Sequence, residues 1–140
     1  MQSFQKICDH KEIILAIVIR ADYTVEKTDF FSNPEYSQQL GIIKYPQGGK
    51  IKAHYHNELA RQLVFTQEVL VIRKGSVKVD LYNSTLEWIE SIVLYKGDVI
   101  FLVSGGHGFE MMEDCEMLEI KQGPYSGVNT DKTHFAGKEN

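Results

Sequence analysis

Short runs of β-branched and aromatic residues recur along the chain, each closed by glycine, proline, asparagine or aspartate. This pattern limits the possible folds more than any other feature, because helical periodicity is nearly absent. The runs fall at 12–20, 41–45, 50–55, 68–73, 76–82, 87–95, 98–103, 108–112 and 115–121. Within 76–82, Val77, Val79 and Leu81 alternate with Lys78, Asp80 and Tyr82, the period-2 signature of a half-buried strand. Residues 69–72 are apolar throughout, as expected of a strand covered on both faces. Turn signals separate the runs, among them Pro46-Gln47-Gly48-Gly49, Lys74-Gly75, Lys96-Gly97-Asp98 and Ser104-Gly105-Gly106. Many short strands at regular spacing in 140 residues predict an all-β sandwich or barrel.

Two stretches depart from this pattern. Residues 29–40, with Phe30, Phe31, Pro34 and Tyr36, read as a structured loop or a single helical turn. Residues 127–140 are polar and read as a surface arm. No linker, repeat or low-complexity tract interrupts the chain, so residues 1–140 are expected to form one domain. Its motif-bearing core lies at about 40–122, with strands and a loop at 1–39 and a C-terminal arm at 123–140.

Composition excludes several classes of partner. With 15 Lys+Arg against 19 Asp+Glu, the net charge of −4 speaks against a general nucleic-acid binder. The apolar run at 13–19 is far shorter than the roughly 20 residues a membrane helix needs. Asp9, His10, Lys11 and Glu12 precede it and no small-residue cleavage site follows, so neither a membrane span nor a signal peptide is expected. Cys8 and Cys115 are too few for a disulfide framework; the two could pair with each other, but they read better as small buried hydrophobes in a reduced, cytoplasmic chain. Asn83-Ser84-Thr85 matches a glycosylation triplet, which carries no weight without an export signal.

Three of the five histidines stand where chemistry is possible. His54 and His56, two apart in the run at 50–55, would project from the same face of a strand, with Lys52 before them. Paired neutral imidazoles suit a transition metal, although polar residues on a solvated face give the same pattern. Glu68 opens an apolar strand, where a carboxylate needs a metal or a basic partner unless it sits at the solvent rim. His107 follows a glycine-rich turn that permits a tight corner. That turn is a poor phosphate cradle, because no helix follows it.

Taken together, Gly49, His54, His56, Glu68 and Gly75 resemble the first motif of the cupin superfamily, and Gly97, Gly105 and His107 its second. Eleven residues separate His56 from Glu68, more than the usual three or four, and Val103 stands where the second motif has proline. The resemblance spans roughly residues 40–122 and is nearest to one group of small cupins, some of whose genes lie among those for surface-polysaccharide or nucleotide-sugar synthesis. It implies a double-stranded β-helix, a jelly-roll barrel. It also implies a divalent transition metal (Fe, Mn, Zn or Ni) held by His54, His56, Glu68 and His107, with coordination positions left for water, dioxygen or substrate oxygens.

Other side chains are candidates around such a site. In the run at 115–121, Met117, Glu119 and Lys121 share one face. If that face points inward, Glu119 becomes a general base and Lys121 an anchor for an anionic group; otherwise both are solvated strand residues. Arg61 could bind a carboxylate or phosphate at the mouth, or be a plain surface cation. Tyr125, with Phe30, Phe31 and Tyr36, would form an aromatic lid or pack under a loop. His10 and His134 are expected in solvent. Cys115 has acidic neighbours that oppose a reactive thiolate, and Ser104 lacks a hydrolase elbow.

The expected function is that of a metal-binding cupin acting on a small polar molecule, with a sugar or sugar nucleotide the first guess. The chemistry would be isomerase- or epimerase-like proton transfer or metal-dependent oxygen chemistry. A non-catalytic sensor using the same pocket is the alternative, and a metal-free dimerisation module a third. A homodimer is expected, with the apolar run at 13–19 covered by a second subunit.

Overall fold

The structure, a computed structural model, describes residues 1–138; the last two residues of the expected C-terminal arm, Glu139 and Asn140, lie outside it. The chain forms β1 (Phe4–Cys8), β2 (Ile14–Ile19), β3 (Asp29–Phe30), β4 (Gly41–Ile42), β5 (Glu68–Lys74) and β6 (Ser76–Tyr82). Then follow β7 (Trp88–Tyr95), β8 (Val99–Leu102), β9 (Gly106–Met111), β10 (Glu116–Lys121) and a single helical turn, α1 (Val128–Asp131). The all-β class is therefore as expected. No helix among the described residues is long and apolar enough to cross a membrane.

Pairing is antiparallel throughout. A five-stranded sheet runs in the order β1-β2-β8-β5-β10 and a three-stranded sheet in the order β7-β6-β9, with β3-β4 as a separate ribbon. None of these sheets closes into a barrel. The main core lies between the two larger sheets, where Leu70, Ile72, Ile100 and Leu102 meet Val77, Val79, Leu81 and Leu94. A second core covers the other face of the large sheet, with Ile17, Val69 and Phe101 under Tyr23, Phe31, Tyr36 and Leu40. Alternate residues of β5 thus enter different cores, which is why 69–72 is apolar without a break.

This arrangement corrects several expectations. Most of the run at 13–19 is not open to a second subunit, because β2 lies inside the large sheet between β1 and β8 and residues 15–19 are buried by their own chain, while Ile13 stays 49% exposed. Its cover is β1, which the sequence pattern did not reveal because Phe4-Gln5-Lys6-Ile7-Cys8 lacks strict alternation. Cys8 is exposed on that edge strand and Cys115 is half-buried; both are free. Residues 29–40 form a structured loop, in agreement with the first of their two expected forms, closed by the β3-β4 ribbon and by Ser32, whose hydroxyl donates to Gln39 and accepts from the Leu40 N–H. Asn83 needs no glycan to explain it: its Oδ1 accepts from the N–H groups of Thr85 and Glu87, which shapes the β6-β7 turn.

The largest departure is at 50–55. No strand forms there, and every residue from 43 to 66 is exposed. A strand is a pairing and not a local state, so a run with one β-branched residue, Ile51, stays irregular unless a sheet edge receives it.

Gly105 sets the corner before β9. Its φ is +74°, and a Cβ there would stand 2.1 Å from the Tyr82 carbonyl oxygen. Gly105→Ala is therefore expected to lower stability by about 1–3 kcal/mol, from strain and a clash with backbone that cannot move aside. Urea unfolding checks this, with the midpoint falling and the slope unchanged.

Candidate functional site

Strand register brings Glu68 and His107 together. Glu68 shares its face of β5 with Leu70 and Ile72, so it points between the two large sheets. His107 pairs with Leu81 across β6-β9, and Leu81 is a core residue, so His107 points into the same space from the opposite sheet. His107 Nε2 stands 3.6 Å from Glu68 Oε2, with side-chain exposures of 29% and 13%. That separation allows electrostatic coupling but is too long for a direct hydrogen bond. The site lies at the unclosed side of the sandwich, between edge strands β9 and β10.

The polar face of β10 turns toward this space. Lys121 pairs with Glu68 and Glu119 with Leu70, while Met117 packs on the main core, so Glu119 and Lys121 join the site. The opposite face carries Leu118 and Ile120, both about half exposed. Lys121 Nζ lies 3.5 Å from Asp131 Oδ2 in α1. Asp131 and the adjacent Lys132 were not legible as site residues, because only the return of the C-terminal arm places them here.

Burial, reinforced by the Glu119 charge and by a hydrogen bond with Glu119, raises the Glu68 carboxyl above its ordinary pKa; Lys121 and Lys132 oppose the shift. Burial, with Lys132 adding to it, lowers His107 below the ordinary imidazole value, and Glu119 opposes this. The two shifts have opposite linkage signs. Protonating His107 is harder in the folded state, so its neutral form stabilises the fold near pH 7, and this contribution fades as pH falls below 6.5 toward the lowered folded value. In metal-free protein, the His107 ring should titrate below the ordinary imidazole value of 6.5 when followed by NMR, and His107→Gln should flatten the acid-side loss of stability.

The remaining expected site residues lie apart. His54 and His56 sit in the exposed 43–66 segment with ring centroids 5.4 Å apart, and His54 Nδ1 is 2.9 Å from the Lys52 carbonyl. Arg61 is exposed on the same segment. Tyr125 is 71% exposed, its ring centroid 6.0 Å from Lys121 Nζ. Phe31 packs on Phe4 and Tyr23, and Tyr36 on Phe101, so these rings roof the second core and do not form a lid. His10 and His134 are exposed, as expected.

The four residues expected as metal ligands are thus split into two pairs. Among the described residues no three His, Cys, Asp or Glu side chains converge as a metal-binding group. Within one chain the arrangement does not fit a complete metal site. A separate pocket of about 430 Å³ lies against the second core, lined by Ile14, Tyr36, Leu63, Phe65, Val103 and Ser104. Of the candidate residues it holds Tyr36 and none of His54, His56, Arg61, Glu68, His107, Glu119, Lys121 and Tyr125, and Glu35 is the lone carboxylate in its lining. No protein-family model, curated protein or solved structure matches the chain.

Proposed function

We propose that this chain is a small cupin whose two facing sheets form a double-stranded β-helix, and that it transfers protons on a small anionic molecule, a sugar or sugar nucleotide, at the Glu68–His107 site. The observation that carries this reading is the approach of Glu68 and His107 from opposite sheets to 3.6 Å, with Glu119 and Lys121 beside them. A carboxyl held toward its acid form next to an imidazole held toward its base form is the arrangement an acid–base pair needs. Glu119, exposed and hydrogen-bonded to Glu68, can exchange the proton with solvent. Lys121 and Lys132 supply the positive field that would orient a phosphate or carboxylate.

A divalent transition metal (Fe, Mn, Zn or Ni) belongs to the same reading, held by Glu68 and His107 with His54 and His56, and would act as a Lewis acid. One chain brings two of these four donors together, so no step here is routed through the metal.

The test is solvent exchange. Untagged protein is incubated in D2O with a panel of keto-sugar nucleotides and sugar phosphates, and carbon-bound deuterium is followed by NMR. Incorporation that His107→Ala abolishes is the expected result. Binding without incorporation assigns the pocket to a sensor, and incorporation untouched by His107→Ala refutes the site.

A further inference from the structure

We infer that residues 122–138 form a strap across the Glu68–His107 site, and that a latch of Phe135 on Tyr82 positions Lys132 there to hold a phosphoryl group of the ligand. The inference rests on the proposed site and adds which residue takes the ligand's anionic end and what holds that residue in place.

The strap leaves β10 at Lys121, the register partner of Glu68, in the five-stranded sheet. Past the single turn α1 it runs without secondary structure to Lys138, which lies against β6 and β7 of the three-stranded sheet. Asp131 Oδ2 is 3.5 Å from Lys121 Nζ, which fixes the near part of the strap beside Glu68. Further along, Phe135 packs edge-on against Tyr82 with ring centroids 5.0 Å apart. A Cβ on Gly106 would stand 2.9 Å from Phe135 Cζ, so the ring also abuts the residue before His107. Lys132 is therefore bracketed by the two halves of the site. Its backbone is extended and its side chain exposed, and its charge acts on both Glu68 and His107.

The latch is a fitted contact. Tyr82 is only 4% exposed, although strand alternation puts it on the face of β6 opposite Val77, Val79 and Leu81. Its hydroxyl accepts from the Lys138 N–H at 2.7 Å, and a Cβ on Gly137 would stand 2.7 Å from that hydroxyl. Lys138 Nζ lies 3.7 Å from the centroid of the Trp88 ring, a cation over an aromatic face. Residues 132–134, between α1 and the latch, are exposed and join no sheet. A stretch held at both ends and unpaired between them can move locally while the core stays folded.

The chemistry favours a phosphoryl group. Lys121 and Lys132 are point charges on flexible stems, which suit phosphate, whereas a carboxylate is matched best by the planar fork of an arginine. Asp131 already sets a carboxylate beside Lys121. A phosphoryl group that replaces this carboxylate meets Lys121 from β10 and Lys132 from the strap. The Phe135 latch then keeps Lys132 within reach after Asp131 has let go.

The experiment needs no turnover and no metal. Full-length protein is titrated with glucose 1-phosphate, and with glucose as the neutral control, and binding is followed by amide NMR. Glucose 1-phosphate should bind the parent, and Lys132→Gln should weaken it about tenfold or more, as for loss of a hydrogen bond to a charged group. Phe135→Ala should weaken it about 2–10-fold, the cost of ordering a freed long side chain. Gly106→Ala presses on the same ring from β9 and should act alike, so the contact can be tested even where Phe135→Ala does not fold. In a Lys132→Gln background neither latch variant should weaken binding further, because Phe135 acts through Lys132. Additive losses, a Lys132→Gln chain that binds like the parent, or a parent that binds glucose 1-phosphate no better than glucose would overturn the inference. Binding that follows the expected pattern without deuterium incorporation keeps the strap and removes the proton-transfer reading. Incorporation together with binding indifferent to Lys132→Gln does the reverse.

Discussion

Glu68→Gln is expected to fold at least as well as the parent at pH 7 and to lose about 10²–10⁴-fold in turnover, the range for removing a general acid or base. The two effects have one origin. Glu68 is drawn out of water at the start of β5 and faces the Glu119 charge, so ionising it opposes folding. Its folded pKa lies above its unfolded one. The parent is therefore favoured at low pH and gives up stability as pH rises from about 4.5 through the raised value. Glutamine never ionises. The variant should match the parent below pH 4.5 and equal or exceed it above that window, as melting temperatures across pH will show. A residue whose removal helps the fold and harms the function is held there for its chemistry. Glu68→Gln that destabilises at every pH would mark Glu68 as structural.

Asp98→Ala should have the largest effect on stability. Asp98 Oδ2 accepts from Arg20 Nη1 at 2.8 Å and from the Tyr95 N–H at 2.9 Å, while Oδ1 accepts from the Ala21 N–H at 2.9 Å. Both side chains are buried, at 7% and 6% exposure. Removing the carboxylate leaves the guanidinium charge in the interior with only the Val93 carbonyl, 2.8 Å away, and strands two backbone donors. Breaking one side of a buried pair costs about 3–5 kcal/mol. The melting temperature should fall by roughly 10–20 °C for a chain of this size. Asp98→Asn keeps an acceptor for the backbone and should lose less. The paired change Arg20→Met/Asp98→Leu should not recover the parent, because the Tyr95 and Ala21 N–H groups remain unpaired.

The two predictions rest on residues that differ in how far the sequence exposed them. Glu68 and His107 were legible because a carboxylate that opens an apolar strand and a histidine that follows a glycine-rich corner stand out, with Gly75 and Gly105 bounding their strands; that the two face each other depends on strand pairing. Glu119 and Lys121 were half-legible: the period was clear, but the inward face of β10 depends on its pairing with β5. The role of Asp98 was hidden in a Gly-Asp turn signal, since Arg20 lies 78 positions away. The segment at 50–56 shows the reverse failure. Its alternation describes a strand correctly only where an edge is available, and no edge in its own sheets receives it.

The proposed metal site requires His54, His56, Glu68 and His107 to bind one ion together. Calorimetric titration of Zn2+ into untagged protein tests this in the parent, in His54→Ala/His56→Ala and in His107→Ala. The expected result is one ion per chain in the parent. Loss of supporting groups around a metal already costs 10–100-fold, so either variant should bind more than about 100-fold more weakly. Zn2+ binding that survives His107→Ala, or a parent that binds none, would contradict it.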